Sequence, residues 1–271
     1  MVVLLLAGSA TTSHAQSVPD DFWAHWFDRS DRSKSEQPHW VTPLATTTPR
    51  LEQEVRYDLA WQRRPDGSTL ENYGNSKGLE LIPAEKIEVI LGIPAYVVHD
   101  QTPAQNGFAD WRVLVKYRLL SHNEQSGNDI VTLFLDVSAP TGSPANGSPK
   151  AILTPTIAYG KGFGPLDIQG TFGVGLPTGD VNAIGRTYVW NNALQYQLFR
   201  RLWPEVEINT TFFQHGKNDG QQQTFVTPGL VVGRLPLTDR LGLTIGAGIQ
   251  LAVSDFRITT HNAILSVRLP F

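Results

Sequence analysis

A serine hydrolase needs a hydroxyl, an imidazole to take its proton and a third group to orient the imidazole. The one pairing this chain offers is His261 with Ser254 or Ser266, and its spacing carries no specificity. His261 reads better as an exposed or inward-facing side chain of a strand. His25, His39, His99, His122 and His215 show no His-x-x-x-His ligand spacing, and a chain without cysteine has neither disulfides nor thiolate metal sites. Gly160-Lys161-Gly162-Phe163-Gly164 resembles a phosphate-binding loop, but such a loop must open a helix. Here another strand follows, so the glycines suit a tight turn. Asp100, Asp110 and Asp180 are oxygen ligands of the kind calcium takes, yet they lie in separate loops and read as solvated turns. The residues call for no cofactor, no metal and no catalytic group.

A larger set of charges recurs at alternate positions. Glu52, Glu54, Arg56 and Asp58 alternate along one segment and Arg112, Lys116 and Arg118 along another, with Glu88, Asp136, Asp167, Glu205 and Glu207 in segments of the same kind. Alternate residues of a strand share a face, so these twelve side chains are candidates to line a polar interior. Ion pairs there would keep them away from lipid, where an Arg or Lys costs about 2–4 kcal/mol at midplane. They would either fill and stiffen that interior or form a charged path that biases what passes.

The elements that must position them begin near Arg50. From there the chain falls into segments that alternate apolar and polar residues, separated by turn-rich stretches. In the last segment Ala263, Leu265, Val267, Leu269 and Phe271 share one face, and Asn262, Ser266 and Arg268 share the other with Ile264. Before it, Leu241, Leu243, Ile245, Ala247, Ile249, Leu251 and Val253 alternate with Gly242, Thr244, Gly246, Gly248 and Gln250. Soluble sandwich strands are usually about 5–6 residues long, whereas strands of this length fit a tilted crossing of hydrocarbon.

Reading backwards gives further strands near 221–235, 202–216, 184–199, 164–177, 150–162, 127–139, 107–121, 85–98, 74–83 and 50–62. The fold class is therefore all-β, an antiparallel transmembrane barrel of about 12 strands, an even number as bacterial barrels have. Mostly short connections alternate with longer ones at 64–75, 99–110, 140–150, 177–186 and 216–222, and only the link near 254–257 is brief on that side. Trp61, Tyr117, Tyr159, Tyr188, Trp190, Trp203 and Phe271 fall near strand ends, where interfacial girdles form.

Composition agrees. Outside the N-terminus no run is apolar enough for a transmembrane helix, while 24 Gly, 18 Pro and a mean hydropathy of -0.18 suit a barrel whose polar interior dilutes its outer face. A net charge of -3 argues against a nucleic-acid partner. Residues 1–15 read as a signal peptide, from the apolar run Val2–Gly8 and the small residues Ser13 and Ala15, without the usual charged leader. Residues 16–49 show neither strand alternation nor a helical face and are expected to be an irregular extension, either a plug or a tether, before a barrel of residues 50–271.

The strand-ending repeats Ala139-Pro140-Thr141-Gly142 and Leu176-Pro177-Thr178-Gly179-Asp180, the hairpin Tyr159–Gly164 and the closing run Leu265-Ser266-Val267-Arg268-Leu269-Pro270-Phe271 resemble the family of outer-membrane barrels known as the MetA-pathway of phenol degradation family. The likeness runs from about Arg50 to Phe271. It implies a channel in the bacterial outer membrane for small, hydrophobic or aromatic compounds, and not an enzyme. It also implies that Leu265, Val267, Leu269 and Phe271 form the terminal signal read by the barrel assembly machinery, with Pro270 departing from the usual pattern. The other expected partners are outer-membrane lipid, lipopolysaccharide and a small-molecule solute; the oligomeric state is left open. The competing readings are a structural or adhesion barrel with a filled lumen, a lipid-modifying barrel enzyme, and an exported soluble β-sandwich.

Overall fold

A sheet of long strands carries unpaired N–H and C=O groups along both edges, and closing it on itself is the one arrangement that removes them. The computed structural model, which describes residues 21–75, 77–101 and 103–271, does this with twelve antiparallel strands. They are β1 (Glu54–Arg63), β2 in two pieces (Thr69–Gly74 and Gly78–Ala84), β3 in two pieces (Ile87–Gly92 and Tyr96–His99), β4 in two pieces (Gly107–Phe108 and Trp111–His122), β5 (Asp129–Ala139), β6 (Ile152–Phe163), β7 (Leu166–Pro177), β8 (Arg186–Tyr196), β9 (Leu202–Gln214), β10 (Gln222–Pro236), β11 (Gly242–Ala252) and β12 (His261–Pro270). Each strand pairs with the next, and β12 returns to β1 in register from Glu54 opposite Pro270 to Arg63 opposite His261.

Burial follows the alternation. In β1, Glu54, Arg56, Asp58 and Ala60 are buried while Val55, Tyr57 and Trp61 are exposed. In β11, Ile245, Ile249 and Leu251 are exposed outside, and in β12 Ile264, Ser266 and Arg268 are buried inside. A single-layer barrel has no second sheet to cover its outer row, so that row is apolar without being packed. The soluble sandwich is thereby set aside.

The strand positions follow the sequence reading, with one correction at the second strand. It begins at Thr69, not near residue 74, because Pro65-Asp66-Gly67 turns the chain at once. Gly67 takes φ 86° and Asp66 Oδ1 accepts from the Ser68 amide at 2.9 Å. The link after β11 is longer than expected and covers 253–260. At the end where β1 begins and β12 finishes the turns are 85–86, 123–128, 164–165, 197–201 and 237–241, most of them shorter than those at the far end.

Two further expectations are corrected. The extension contains a helix, α2 (Trp26–Ser35), preceded by the single turn α1 (Asp21–Ala24). It shows no apolar stripe in sequence because the residues it buries are Ser30 and Ser33. α2 lies across the barrel mouth at the end where β1 begins and β12 finishes. Arg32 pairs with Glu85 at 2.6 Å, Asp31 with Arg240 at 3.0 Å, and Lys34 donates to the Phe271 carbonyl at 2.9 Å. Trp203 is not an outer girdle residue. It is buried inside with Trp40, Val41, Leu44, Ile130 and Val231, an apolar cluster to which the extension contributes half. Residues 1–15, read as a signal, lie outside the described residues.

The outward row generates a test. Leu133, exposed at the middle of β5, contacts hydrocarbon when the barrel spans a bilayer. Leu133→Arg is expected to lower the unfolding free energy by about 2–4 kcal/mol, read by urea titration of the vesicle-folded protein.

Candidate lumenal site

After α2 the chain turns into the barrel, and residues 37–53 run through its interior in no regular secondary structure before becoming β1. Almost every residue from Trp40 to Gln53 is buried. An irregular chain so enclosed has no ladder to satisfy its peptide groups, and each unpaired one costs about 1–3 kcal/mol. The inward side chains of the wall supply the partners.

Glu205 accepts from the Leu44 amide at 3.1 Å, and Glu207 takes the next two amides, Ala45 at 2.7 Å and Thr46 at 2.6 Å. Glu88 accepts from the Glu52 amide at 2.6 Å. The carbonyls are served by cations and neutral donors. Arg268 reaches those of Thr42 and Pro43, Arg56 that of Leu44 at 2.7 Å, Lys116 that of Arg50 at 3.0 Å, and Thr132 that of Pro49 at 2.6 Å. Gln169 donates to the Val41 carbonyl at 3.0 Å, and it accepts from the Thr48 hydroxyl at 2.6 Å. Within the insert, the Gln37 amide group bonds both the N–H and the C=O of Leu51. Arg50 reaches the carbonyls of Pro38 and Trp40 and pairs with Glu52 at 2.7 Å.

The apolar contacts are made by glycine. A Cβ on Gly229, Gly246 or Gly248 would stand 2.5, 2.6 or 2.7 Å from a Leu44 methyl, and one on Gly160 would stand 2.5 Å from the Trp40 ring. The sequence reading gave Gly160–Gly164 to a turn. Only Gly164 serves it, with φ 64°, while Gly160 hollows the wall for Trp40.

Of the twelve charged candidates, Arg56, Glu88, Lys116, Glu205 and Glu207 therefore hold the insert. Arg56 also pairs with Asp58 at 2.8 Å and Lys116 with Glu88 at 3.0 Å. Arg118 holds the helix instead, donating to the Ser33 carbonyl at 2.7 Å and to Glu36 at 2.8 Å. Asp167 is bonded by Gln169 at 3.0 Å. Arg112 pairs with Asp136 away from the insert's backbone. Glu54 is buried directly opposite Glu80, with its Oε1 unpartnered. Glu52 is not on the first strand as expected: β1 starts at Glu54, and Glu52 belongs to the insert. Sequence reasoning missed Arg50, Arg234, Gln169 and Gln195, and it placed Arg268 inside without giving it a role. The glycines opposite an apolar Trp-Val-x-x-Leu run were the available signal.

Above the insert a cavity of about 240 Å³ remains, lined by Arg56, Lys77, Glu80, Arg112, Lys116 and Asp136 among others. Its wall can bind small charged groups. His261 is exposed and contacts Thr260, whereas Ser266 is buried against Arg268 and Ser254 bonds the Phe256 carbonyl. Asp110 accepts from the Gly142 and Ser148 amides, each at 2.8 Å, and so orders the 140–151 loop. Among the described residues no group of three or more His, Cys, Asp or Glu could hold a metal.

No family model matches this chain, and no curated protein matches it. Among solved structures it is similar to an outer membrane channel from Pseudomonas putida F1, at 15% identity and a TM-score of 0.56, over 86% of this chain and 100% of that one. A looser likeness, to the transport unit of the autotransporter AIDA-I from Escherichia coli, has 11% identity and a TM-score of 0.37 over 90% and 97% of the two chains. It carries no argument. The first likeness establishes the fold.

Two tests follow. Gly229→Ala is expected to cost about 1–3 kcal/mol by overpacking, chiefly against Leu44, and clearly less when Leu44→Ala is already present, with Glu205 at 3.2 Å then the remaining close neighbour, as measured by urea midpoints. The second concerns the mouth. Burial pushes the Glu124 carboxyl up, but hydrogen bonds from the His39 ring at 2.8 Å and the His39 amide at 2.6 Å outweigh it and hold Glu124 below its ordinary value of 4.5. A depressed carboxylate stabilises above its unfolded value and is lost as pH falls through the folded one. Proteolysis at the α2–insert junction should therefore stay slow at pH 5 and quicken below the usual carboxylate range, and Glu124→Gln should speed it at pH 5 and shrink the acid step, leaving the part due to Asp31, Glu36 and Glu85.

Proposed function

We propose that this protein is a channel of the bacterial outer membrane that admits small charged solutes to a lumen partly filled by its own N-terminal segment. The observation that carries the reading is the pairing of opposites: a closed barrel with an unpacked apolar outer row around a charged cavity of about 240 Å³. Apolar residues outside have no partner except lipid, and charges inside have no use for it. Twelve strands make a narrower barrel than the 16-stranded porins with open aqueous channels, and the insert narrows it further. Conductance is therefore small.

The resemblance to the MetA-pathway of phenol degradation family, resting on the motifs quoted above, points to small hydrophobic or aromatic compounds. The charged cavity wall favours those that carry a charge of their own, such as an aromatic acid. In the same reading the outward Leu265, Val267, Leu269 and Phe271 are the strand that the barrel assembly machinery receives, outer-membrane lipid and lipopolysaccharide cover the apolar row, and residues 1–15 are an export signal. A structural barrel with a filled lumen is the second reading, favoured by how completely the insert is bonded to the wall.

Electrophoresis with and without boiling, then planar-bilayer recording of the same detergent-folded sample, separates the two. The channel reading expects a heat-shifted band and small, steady steps that a charged aromatic solute reduces. A shifted band with a silent bilayer would leave the filled barrel.

A further inference from the structure

We propose that solute passes the insert along the inward row of β1, beside the seam where β1 meets β12, while the insert stays in place. The proposal rests on the channel reading and specifies its route. Three cavities lie in succession on that row. The upper one, of about 240 Å³, reaches Arg56 and Glu80. A small one of about 10 Å³ lies against Glu54 and Arg268. The third, of about 300 Å³, opens under α2 at Glu52 and Phe271.

Arg56 and Glu54 are successive inward positions of β1, and Glu52, at the end of the insert just before that strand, comes next, so the cavities follow the inward row of β1 back into the insert that leads to it. They also share walls. Thr42 of the insert lines the first and second, and Glu52, Arg234 and Pro270 line the second and third. Glu80, in the first, is the cross-strand partner of Glu54, in the second.

Elsewhere the insert is seated. Leu44 fills the hollow over Gly229, Gly246 and Gly248, and Glu205 and Glu207 grip three consecutive amides. Removing the insert breaks those bonds together, whereas the β1 route requires only side chains to move.

The middle cavity has room for about one water, so it is the gate. Arg234 is the movable part. It is a non-glycine residue at φ 57° in the bulge between Val232 and Leu235, a conformation that costs about 1–3 kcal/mol and persists where the site uses it. It forms no ion pair among the described residues. Its side-chain hydrogen bond goes to the Trp40 carbonyl at 3.1 Å, which Arg50 also serves. Glu54 faces this gate from β1 and Glu80, opposite it on β2, faces the upper cavity; neither has an ion-pair partner among the described residues. A small ion or zwitterion could exchange with these groups in turn.

Two variants recorded in planar bilayers in potassium chloride test the route, each first checked for the heat shift of a folded barrel. The chain has no cysteine, so Leu44→Cys with Gly229→Cys can be oxidised to a single disulfide that fixes the insert to β10. Conductance should persist when this pair is oxidised and be unchanged by reductant. Arg234→Gly, which relieves the strained φ and empties the passage, should raise conductance severalfold and shift selectivity toward cations. A disulfide that silences the channel until reduced would show that the insert must leave, and would overturn the proposal. So would an Arg234→Gly conductance equal to that of the parent. If parent and Arg234→Gly are both silent, the channel reading fails and the route with it; if Arg234→Gly alone conducts, the parent is the filled barrel and the proposal is overturned as well.

Discussion

Everything in this structure answers to one constraint, that a peptide group away from water must have a partner. On the outside it forces closure. β1 meets β12 because an open edge would leave a row of N–H and C=O groups without partners. On the inside the same constraint acts on residues 37–53, which cross the lumen without a ladder of their own. Closure is solved by backbone, and the insert is solved by side chains. This is why the wall carries so many buried charges: carboxylates where the insert presents amides, at 44–46 and 52, and guanidinium or ammonium groups where it presents carbonyls, at 42–44 and 50.

Buried ion pairs are poor sources of stability, since desolvation cancels most of their attraction. The pairs here have another use. Arg56 is held by Asp58 and points its remaining N–H at the Leu44 carbonyl, and Lys116 is held by Glu88 while reaching the Arg50 carbonyl. Each pair fixes a donor in the one direction the insert requires. Charge thus acts as geometry, specifying where an irregular segment sits in a way that apolar packing on Gly229, Gly246 and Gly248 alone would not.

The barrel was legible because its signal is repeated. A period of two recurs through twelve strands, and burial in β1, β11 and β12 follows it residue by residue. What stayed hidden depends on a second segment. Trp203 has the composition of an outer girdle residue, and only Trp40, delivered from outside the barrel sequence, makes an inward position apolar. α2 was invisible because its buried residues are serines, which leave no hydrophobic periodicity. The inward glycines were visible in the sequence but ambiguous, since a glycine that makes room for a leucine reads the same as one that permits a turn. The partners of Glu205 and Glu207 could not be read at all, because they are backbone amides of the insert, and those leave no mark in a sequence.

The division of labour among the inward charges bears on function. Those that bond the insert are committed, for moving one strands a peptide group and its own ionic partner together. What remains to meet a solute is a smaller set, Glu54, Glu80 and Lys77 without ion pairs among the described residues, Arg234 on its bulge, and the Arg112–Asp136 pair at the cavity wall. In the proposed channel, selectivity is then set by few residues, and those residues sit beside the insert. On that reading a segment that began as an obstacle to be satisfied becomes one wall of the proposed passage, and the fit of that wall against β1 decides how wide the passage is.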